Sequence, residues 1–155
     1  MKRIMVKSVF DAFEYVMDHY YPKGLEEYAK RKDSYAVISV QDSHNGGFGF
    51  RFTENAFCKD VLTLFFDDIE EEVEDAVLFD AEMADVVLDF VEKNSDADTL
   101  LIHCFAGQSR SRAIGAFLVK QMGKDNSAYY EHGEKPNQRV LEELEKAALR
   151  RKDAS

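Results

Sequence analysis

The stretch TLLIHCFAGQSRSRAIGAFL, residues 99–118, decides the fold. Its first six residues are mostly apolar and end at Cys104, which predicts a short buried strand of a parallel sheet. The apolar run from Ala113 to Leu118 predicts a helix, and Gly123 is well placed to end it. A buried strand that passes through one tight turn into a helix is typical of α/β proteins.

Strands and helices are predicted to alternate along the rest of the chain. Runs rich in β-branched and aromatic residues predict strands over residues 2–9, 34–40 and 61–66. Apolar residues at helical spacing predict helices over residues 11–20, from Met83 to the vicinity of Asn94, and after Pro136, with Asn137 as N-cap. Shorter helices are predicted over residues 25–32 and 127–131. This alternation predicts a single α/β domain over residues 1–155, with a central, mostly parallel sheet flanked by helices.

Composition and charge exclude several classes of protein. The chain has 155 residues, a formal net charge of -10 and 45% hydrophobic residues, so it is expected to fold as a globule that repels nucleic acid and anionic membranes. Its two cysteines, Cys58 and Cys104, are too few for a disulfide framework. We find neither a signal peptide nor an apolar run long enough to span a membrane, so the expected location is the cytoplasm.

The turn from Cys104 to Ser111 carries the chemistry. A strand-to-helix turn can direct its backbone N–H groups inward, and the helix start adds partial positive charge, which makes a binding site for a phosphate dianion. The expected phosphate-binding residues are therefore the whole turn, namely Phe105, Ala106, Gly107, Gln108, Ser109 and Arg110. The same field should favour the thiolate form of Cys104, and Arg110 offers a two-pronged hydrogen-bond donor to phosphoryl oxygens. Neither a metal nor a cofactor is expected.

The string His103-Cys104, five residues, Arg110 and Ser111 resembles the signature of the cysteine-based protein tyrosine phosphatases, most closely the small dual-specificity phosphatases. The resemblance implies that Cys104 is the nucleophile that forms a phosphocysteine and that Arg110 binds the phosphoryl group. It also implies that the Ser111 hydroxyl helps the thiolate to leave in the second step. His103 is expected to orient the turn rather than to react.

A general acid should come from another loop. The resemblance favours Asp68, at the end of a strand upstream of the nucleophile, and Asp67 stays open as the alternative. The acidic run from Glu70 to Asp75 is expected to begin a helix, and it could also select substrates with basic flanking sequence.

The predicted function is hydrolysis of phosphomonoesters on proteins, on phosphotyrosine and also on phosphoserine or phosphothreonine. The alternatives are a noncatalytic phosphate-binding module, a phosphatase for a non-protein phosphoester such as a phosphoinositide, and sulfur or arsenate chemistry on the thiolate. In the superfamily that the motif resembles, phosphoinositide phosphatases tend to have lysines in this turn. The turn here has none, so the resemblance favours a phosphoprotein over a phosphoinositide. Cys58 is expected to fill the core, with a reversible disulfide to Cys104 as the alternative. The sequence leaves the oligomeric state open.

Overall fold

The computed structural model describes residues 1, 3–24, 32–44, 46–49, 51–131, 133 and 135–154. Strands and helices alternate through most of this part of the chain. The strands are β1 (Arg3–Ser8), β2 (Tyr35–Gln41), β3 (Cys58–Phe65) and β4 (Thr99–Cys104). The helices are α1 (Val9–Tyr20), α2 (Ala81–Lys93), α3 (Arg110–Gln121) and α4 (Gln138–Ala154), with a short 3-10 turn at Ser127–Tyr130.

The four strands form one parallel sheet in the order β1-β4-β2-β3. The strand that ends at Cys104 is therefore interior, with β1 on one side and β2 on the other. Ser8 is the register partner of Cys104 in β1. Because the strands are parallel, all four carboxyl ends lie at one edge of the sheet, where binding sites of α/β proteins are usually built.

Helices cover both faces of the sheet, and side chains alternate between them along each strand. In β4, Leu100, Ile102 and Cys104 belong to the larger core, which α2, α3 and α4 complete. Leu101 belongs to the smaller core, on the face that α1 covers. Because helices cover both faces of the sheet, β2 and β4 are buried at every position. Their sequences are therefore mostly apolar runs rather than alternating apolar and polar residues.

The predicted α/β fold with a parallel sheet is confirmed, and most predicted elements have their counterpart within two or three residues. Gly123 follows the end of α3 with φ of 75°, a left-handed conformation that favours glycine. Asn137 caps α4, since its side-chain oxygen accepts a hydrogen bond from the Val140 N–H at 3.1 Å. The predicted helix over residues 25–32 lies, apart from Lys32, outside the described residues.

The acidic run from Glu70 to Asp75 does not begin a helix, so that prediction was wrong. The segment is a loop, and α2 begins only at Ala81, with Asp80 as its N-cap. Asp67 closes this loop, because its backbone N–H donates to the Val77 carbonyl at 2.8 Å and its carboxylate accepts from the Val77 N–H at 2.8 Å. The repulsion between closely spaced carboxylates also disfavours a helix here.

The suggested disulfide between Cys58 and Cys104 is excluded by the register. Cys58 begins β3 and pairs with Tyr35, which in turn pairs with Thr99, whereas Cys104 ends β4 five residues later. The two thiols are thus separated by about 16 Å along the strand direction, far beyond disulfide reach. Both cysteines are free and buried, and burial raises the pKa of Cys58 to about 11.

A contact between two rings is expected to hold the loop after β3 against the core. Phe66 and Phe79 are fully buried, with ring centroids 4.9 Å apart. Phe79→Ala should lower the free energy of unfolding by about 3–5 kcal/mol, because it leaves a cavity at the base of the loop. Urea denaturation measures the change. The control is Leu149→Ala, whose side chain is 61% exposed and which should change the value by less than about 0.5 kcal/mol; equal losses would contradict the prediction.

Candidate active site

The carboxyl edge of the sheet gathers polar side chains from three neighbouring strands. Cys104 ends β4, Asp42 directly follows β2, and Asp67 and Asp68 follow β3. These positions are far apart in sequence and meet because parallel strands end at the same edge. The edge is therefore the candidate active site.

Cys104 is nearly inaccessible, and two groups of the following turn contact its sulfur. The Gly107 N–H donates to Sγ at 3.2 Å, and the Ser111 Oγ lies 3.0 Å from Sγ. Cys104 is 3% exposed and Ser111 is fully buried. The turn therefore curls around Cys104, and both contacts can stabilise a negative charge on the sulfur.

Gly107 is required where the turn passes β1. Its φ is 72°, and a Cβ atom there would lie 2.6 Å from the Lys7 carbonyl carbon and from the Ser8 nitrogen. The Val9 N–H also donates to the Phe105 carbonyl at 3.1 Å. The junction of β1 and α1 therefore fixes the backbone of the turn from outside.

The remaining residues of the predicted phosphate loop lie at its outer side. Phe105, Ala106 and Gln108 are exposed, and Ser109 is half-buried. α3 begins directly after Ser109, so its first N–H groups point toward the turn and add partial positive charge.

Arg110 is buried, with 5% exposure, and is held by two acceptors. Its Nη1 donates to the Phe66 carbonyl at 2.8 Å and lies 2.8 Å from Asp42 Oδ1. Within the described residues both polar contacts of the guanidinium use Nη1, which leaves Nη2 and Nε for a ligand. Asp42 was not predicted from the sequence; its position directly after β2, the strand next to β4, is the signal that could have identified it.

Asp68 faces the turn. Its Oδ1 accepts hydrogen bonds from the Ser109 hydroxyl and from Asn137 Nδ2, each at 2.8 Å. Asn137 Nδ2 also donates to the Ile69 carbonyl at 3.1 Å, and the Asn137 N–H donates to the Ser109 carbonyl at 3.1 Å. The residue predicted only as a helix cap thus also ties Asp68 to the phosphate loop.

Asp67 joins the loop after β2 to the loop before α2. Its carboxylate accepts hydrogen bonds from the Ser43 N–H at 3.1 Å, the Ser43 hydroxyl at 2.5 Å and the Val77 N–H. Burial raises the pKa of Asp67, but these hydrogen bonds outweigh burial and hold the pKa below its usual value of 3.8. Asp67 is therefore an ionised structural acceptor at neutral pH.

His103 belongs to a buried chain of hydrogen bonds beneath the turn. Burial lowers the pKa of His103 and the nearby Arg110 lowers it further, although the Cys104 carbonyl opposes this. The neutral ring donates from Nδ1 to that carbonyl at 3.2 Å, and Nε2 accepts from the Ser39 hydroxyl at 2.7 Å. Gln41 continues the chain by donating to Ser39 Oγ at 2.9 Å and accepting the Phe48 N–H at 2.7 Å.

The part of the chain that the structure describes holds no group of three or more histidine, cysteine, aspartate or glutamate side chains suited to a metal ion. It also holds no helix that is long and apolar enough to cross a membrane.

No protein-family model matches the chain, and no curated protein matches it. Solved structures do match. Human DUSP28 is 13% identical, with a TM-score of 0.55 over 98% of this chain and 95% of that chain. Human tyrosine phosphatase-like serine/threonine/tyrosine-interacting protein is 18% identical, with a TM-score of 0.50 over 77% of this chain and 78% of that chain.

PTPMT1 is also similar, with 13% identity and a TM-score of 0.50 over 97% of this chain and 95% of that chain. These likenesses show that the chain has the α/β fold of the small dual-specificity phosphatases.

The hydrogen bonds that the Asp67 carboxylate accepts predict that this residue stabilises the fold in a pH-dependent way. Asp67→Asn should lower the free energy of unfolding by about 1–3 kcal/mol at neutral pH, because at least one charge-assisted hydrogen bond is lost. Since the pKa of Asp67 is depressed, its stabilisation is fully present above the unfolded-state value of 3.8 and disappears as the pH falls through the lower folded-state value. Urea denaturation of both proteins across this range measures the difference, which should shrink in acid. A difference that stays constant would contradict the assignment.

Proposed function

We propose that this chain is a cysteine-dependent phosphatase that hydrolyses phosphomonoesters on proteins, phosphotyrosine first and phosphoserine or phosphothreonine in addition. One observation carries the proposal. The buried sulfur of Cys104 lies within 3.2 Å of the Gly107 N–H and 3.0 Å of the Ser111 hydroxyl, in a turn that ends at the buried Arg110. A thiolate, inward N–H donors and a guanidinium together suit attack on a tetrahedral phosphate.

In the first step the Cys104 thiolate attacks phosphorus, and the bond to the leaving oxygen breaks. Negative charge is then distributed over three equatorial oxygens, which the N–H groups of the loop and Arg110 stabilise. Asp42 and the Phe66 carbonyl hold Nη1 of Arg110, so Nη2 and Nε are oriented before the substrate arrives. A prepositioned guanidinium needs little reorganisation in the transition state.

Asp68 supplies the proton that the leaving alkoxide or phenoxide needs. Its contacts with Ser109 and Asn137 both use Oδ1, so Oδ2 is available to carry the proton. In the second step Asp68 takes a proton from water, whose oxygen attacks the phosphocysteine. The S–P bond breaks, phosphate leaves, and the Ser111 hydroxyl donates to the departing thiolate of Cys104.

The fold alone is also compatible with a noncatalytic phosphate-binding module, because one of the similar proteins is named phosphatase-like and interacting. The side chains favour catalysis. A binding module needs the donors of the loop, but it needs neither the thiol of Cys104 at their centre nor a carboxylic acid bound to Ser109. The loop contains none of the lysines that would attract the multiply phosphorylated headgroup of a phosphoinositide.

Replacing the nucleophile tests the proposal directly. Cys104→Ser should reduce the release of phosphate from p-nitrophenyl phosphate and from phosphotyrosine peptides by about four orders of magnitude or more, because the alcohol is not ionised. Arg110→Lys should reduce kcat by about 100- to 1,000-fold, because lysine lacks the two-pronged donor. Phosphate release is measured colorimetrically, with circular dichroism to establish that the variants are folded.

Two further measurements accompany these variants. Vanadate should inhibit by occupying the loop as a five-coordinate species, and a chelator such as EDTA should have no effect. A folded Cys104→Ser protein that retains full activity, or activity that EDTA removes, would refute the thiolate mechanism. Phosphate binding by an inactive wild-type protein would instead favour the binding module.

Adjacent carboxylates allow a matched test of the general acid. Asp68→Asn should lower kcat for phenyl phosphate by about 100- to 10,000-fold, and less for p-nitrophenyl phosphate, whose more stable leaving anion needs less protonation. Asp67→Asn removes the same charge one residue away and should leave both rates nearly unchanged at a temperature where it is folded. Steady-state kinetics as a function of pH would show the loss in Asp68→Asn. A greater loss in Asp67→Asn would overturn the assignment.

A further inference from the structure

Exposed aromatic rings lie beside the nucleophile. Phe10, Phe13 and Phe105 are exposed by 60%, 51% and 52%, and in the described part of the chain they are the phenylalanines whose exposure exceeds one half. Isolated exposed apolar residues are ordinary, but a contiguous group of them typically marks a binding surface. We call Phe10, Phe48 and Phe105 the aromatic rim.

The aromatic rim joins three separate segments next to the phosphate loop. Phe105 directly follows Cys104, and its ring contacts Phe10 edge-on at a centroid distance of 6.2 Å and Phe48 at 5.4 Å. The backbone of each segment is fixed near these rings. The Val9 N–H donates to the Phe105 carbonyl at 3.1 Å, and the Phe48 N–H donates to the Gln41 side chain at 2.7 Å. A surface that is ordered in advance binds a partner at a low entropic cost.

The rim continues along α1. Phe13 lies almost one helical turn after Phe10, and its ring is 6.3 Å from that of Phe52. The apolar surface therefore extends from the residue after the nucleophile across the first turns of α1. A chain bound in the phosphate loop could follow it without a break.

Carboxylates border the aromatic rim on the same helix. Asp11, Glu14 and Asp18 line a groove of about 390 Å³, with Lys7, Tyr15 and His19 as its other lining residues. Lys7 lies over the Tyr15 ring at 5.7 Å. Arg3 adds a second cation, since its Nη2 donates to the Tyr15 hydroxyl at 3.3 Å. The three carboxylates still outnumber Lys7 and Arg3, and the whole chain carries a formal charge of -10, so this groove favours cationic groups over anionic ones.

We infer that the aromatic rim and the acidic side of α1 together dock the substrate segment around the phosphorylated residue. The segment would place a hydrophobic side chain on the rim next to the phosphorylated residue and a basic side chain in the groove of Asp11, Glu14 and Asp18. This inference rests on the proposed function. A peptide suits the surface better than an anionic membrane does, because lipid phosphates would face the carboxylates that border the rim.

Matched phosphotyrosine peptides of equal length test the inference. In each peptide, the residue directly before or directly after the phosphotyrosine is Phe or Ser. A second residue, farther from the phosphotyrosine, is Lys or Glu. The peptide with Phe and Lys should be hydrolysed with a kcat/KM about tenfold above that of the Ser peptide, since its ring is removed from water on the rim. Replacing Lys by Glu should lower kcat/KM by a further few-fold, and added salt should reduce that second difference.

Variants assign each preference to its surface. Phe10→Ser should abolish the preference for Phe, and Glu14→Gln with Asp18→Asn should abolish the preference for Lys. These variants should hydrolyse p-nitrophenyl phosphate at close to the wild-type rate, because that substrate lacks the flanking residues that the rim and the groove would bind. The matched controls lie on α4: Leu149→Ser removes a side chain that is 61% exposed and Glu145→Gln removes an exposed carboxylate, and both should retain the preferences.

A binding measurement separates this inference from the proposed function. Fluorescence anisotropy with labelled phosphopeptides and the Cys104→Ser protein reports the same preferences without turnover. Loss of all activity with the binding preferences intact would refute catalysis but not the docking surface. Equal kcat/KM for all peptides, or a preference for Phe that survives Phe10→Ser, would overturn the inference. Binding of anionic vesicles that Phe10→Ser abolishes, with no peptide preference, would assign the rim to a lipid surface instead.

Discussion

The close passage of Gly107 along β1 is the constraint on which the site depends. A methyl group at Gly107 would come within 2.6 Å of backbone atoms of Lys7 and Ser8, and these atoms cannot move without disturbing the edge strand of the sheet. The turn therefore packs directly against β1, and α3 begins at the end of the turn. This leaves the Gly107 N–H pointing at the Cys104 sulfur, so the path of the backbone determines where this donor lies.

Arg110 provides local positive charge at the site, although the chain as a whole is acidic. Its guanidinium is almost completely buried, which is costly unless acceptors compensate its charge. Asp42 and the Phe66 carbonyl provide this compensation on one nitrogen, Nη1. The other nitrogens retain their capacity to donate. Under the proposed function, a phosphate would be attracted by donors fixed within a few ångströms, where the diffuse field of a chain with a formal charge of -10 is comparatively weak.

The sequence predicted the parallel α/β fold and the turn from Cys104 to Arg110, because both depend on periodicity and spacing within short segments. The sequence did not predict contacts between distant segments. Asp42 meets Arg110 only through the strand order β1-β4-β2-β3, and Asn137 reaches Asp68 only because α4 packs beside the phosphate loop. The acidic run from Glu70 to Asp75 was misread as a helix because the closing contacts of Asp67 with Val77 leave no signal in local propensity.

The fold and the chemistry are therefore separate claims that rest on different atoms. A similar fold occurs in a protein named tyrosine phosphatase-like serine/threonine/tyrosine-interacting protein, so the sheet and helices alone do not assign catalysis. In the proposed mechanism, the reaction of a bound phosphate depends on Cys104 and Asp68, two side chains at the carboxyl edge of the sheet. The hydrogen bonds from Ser109 and Asn137 to Asp68 tie the expected acid to the loop that holds the nucleophile. In the proposed mechanism this coupling keeps the acid beside the nucleophile, which phosphate binding alone would not require.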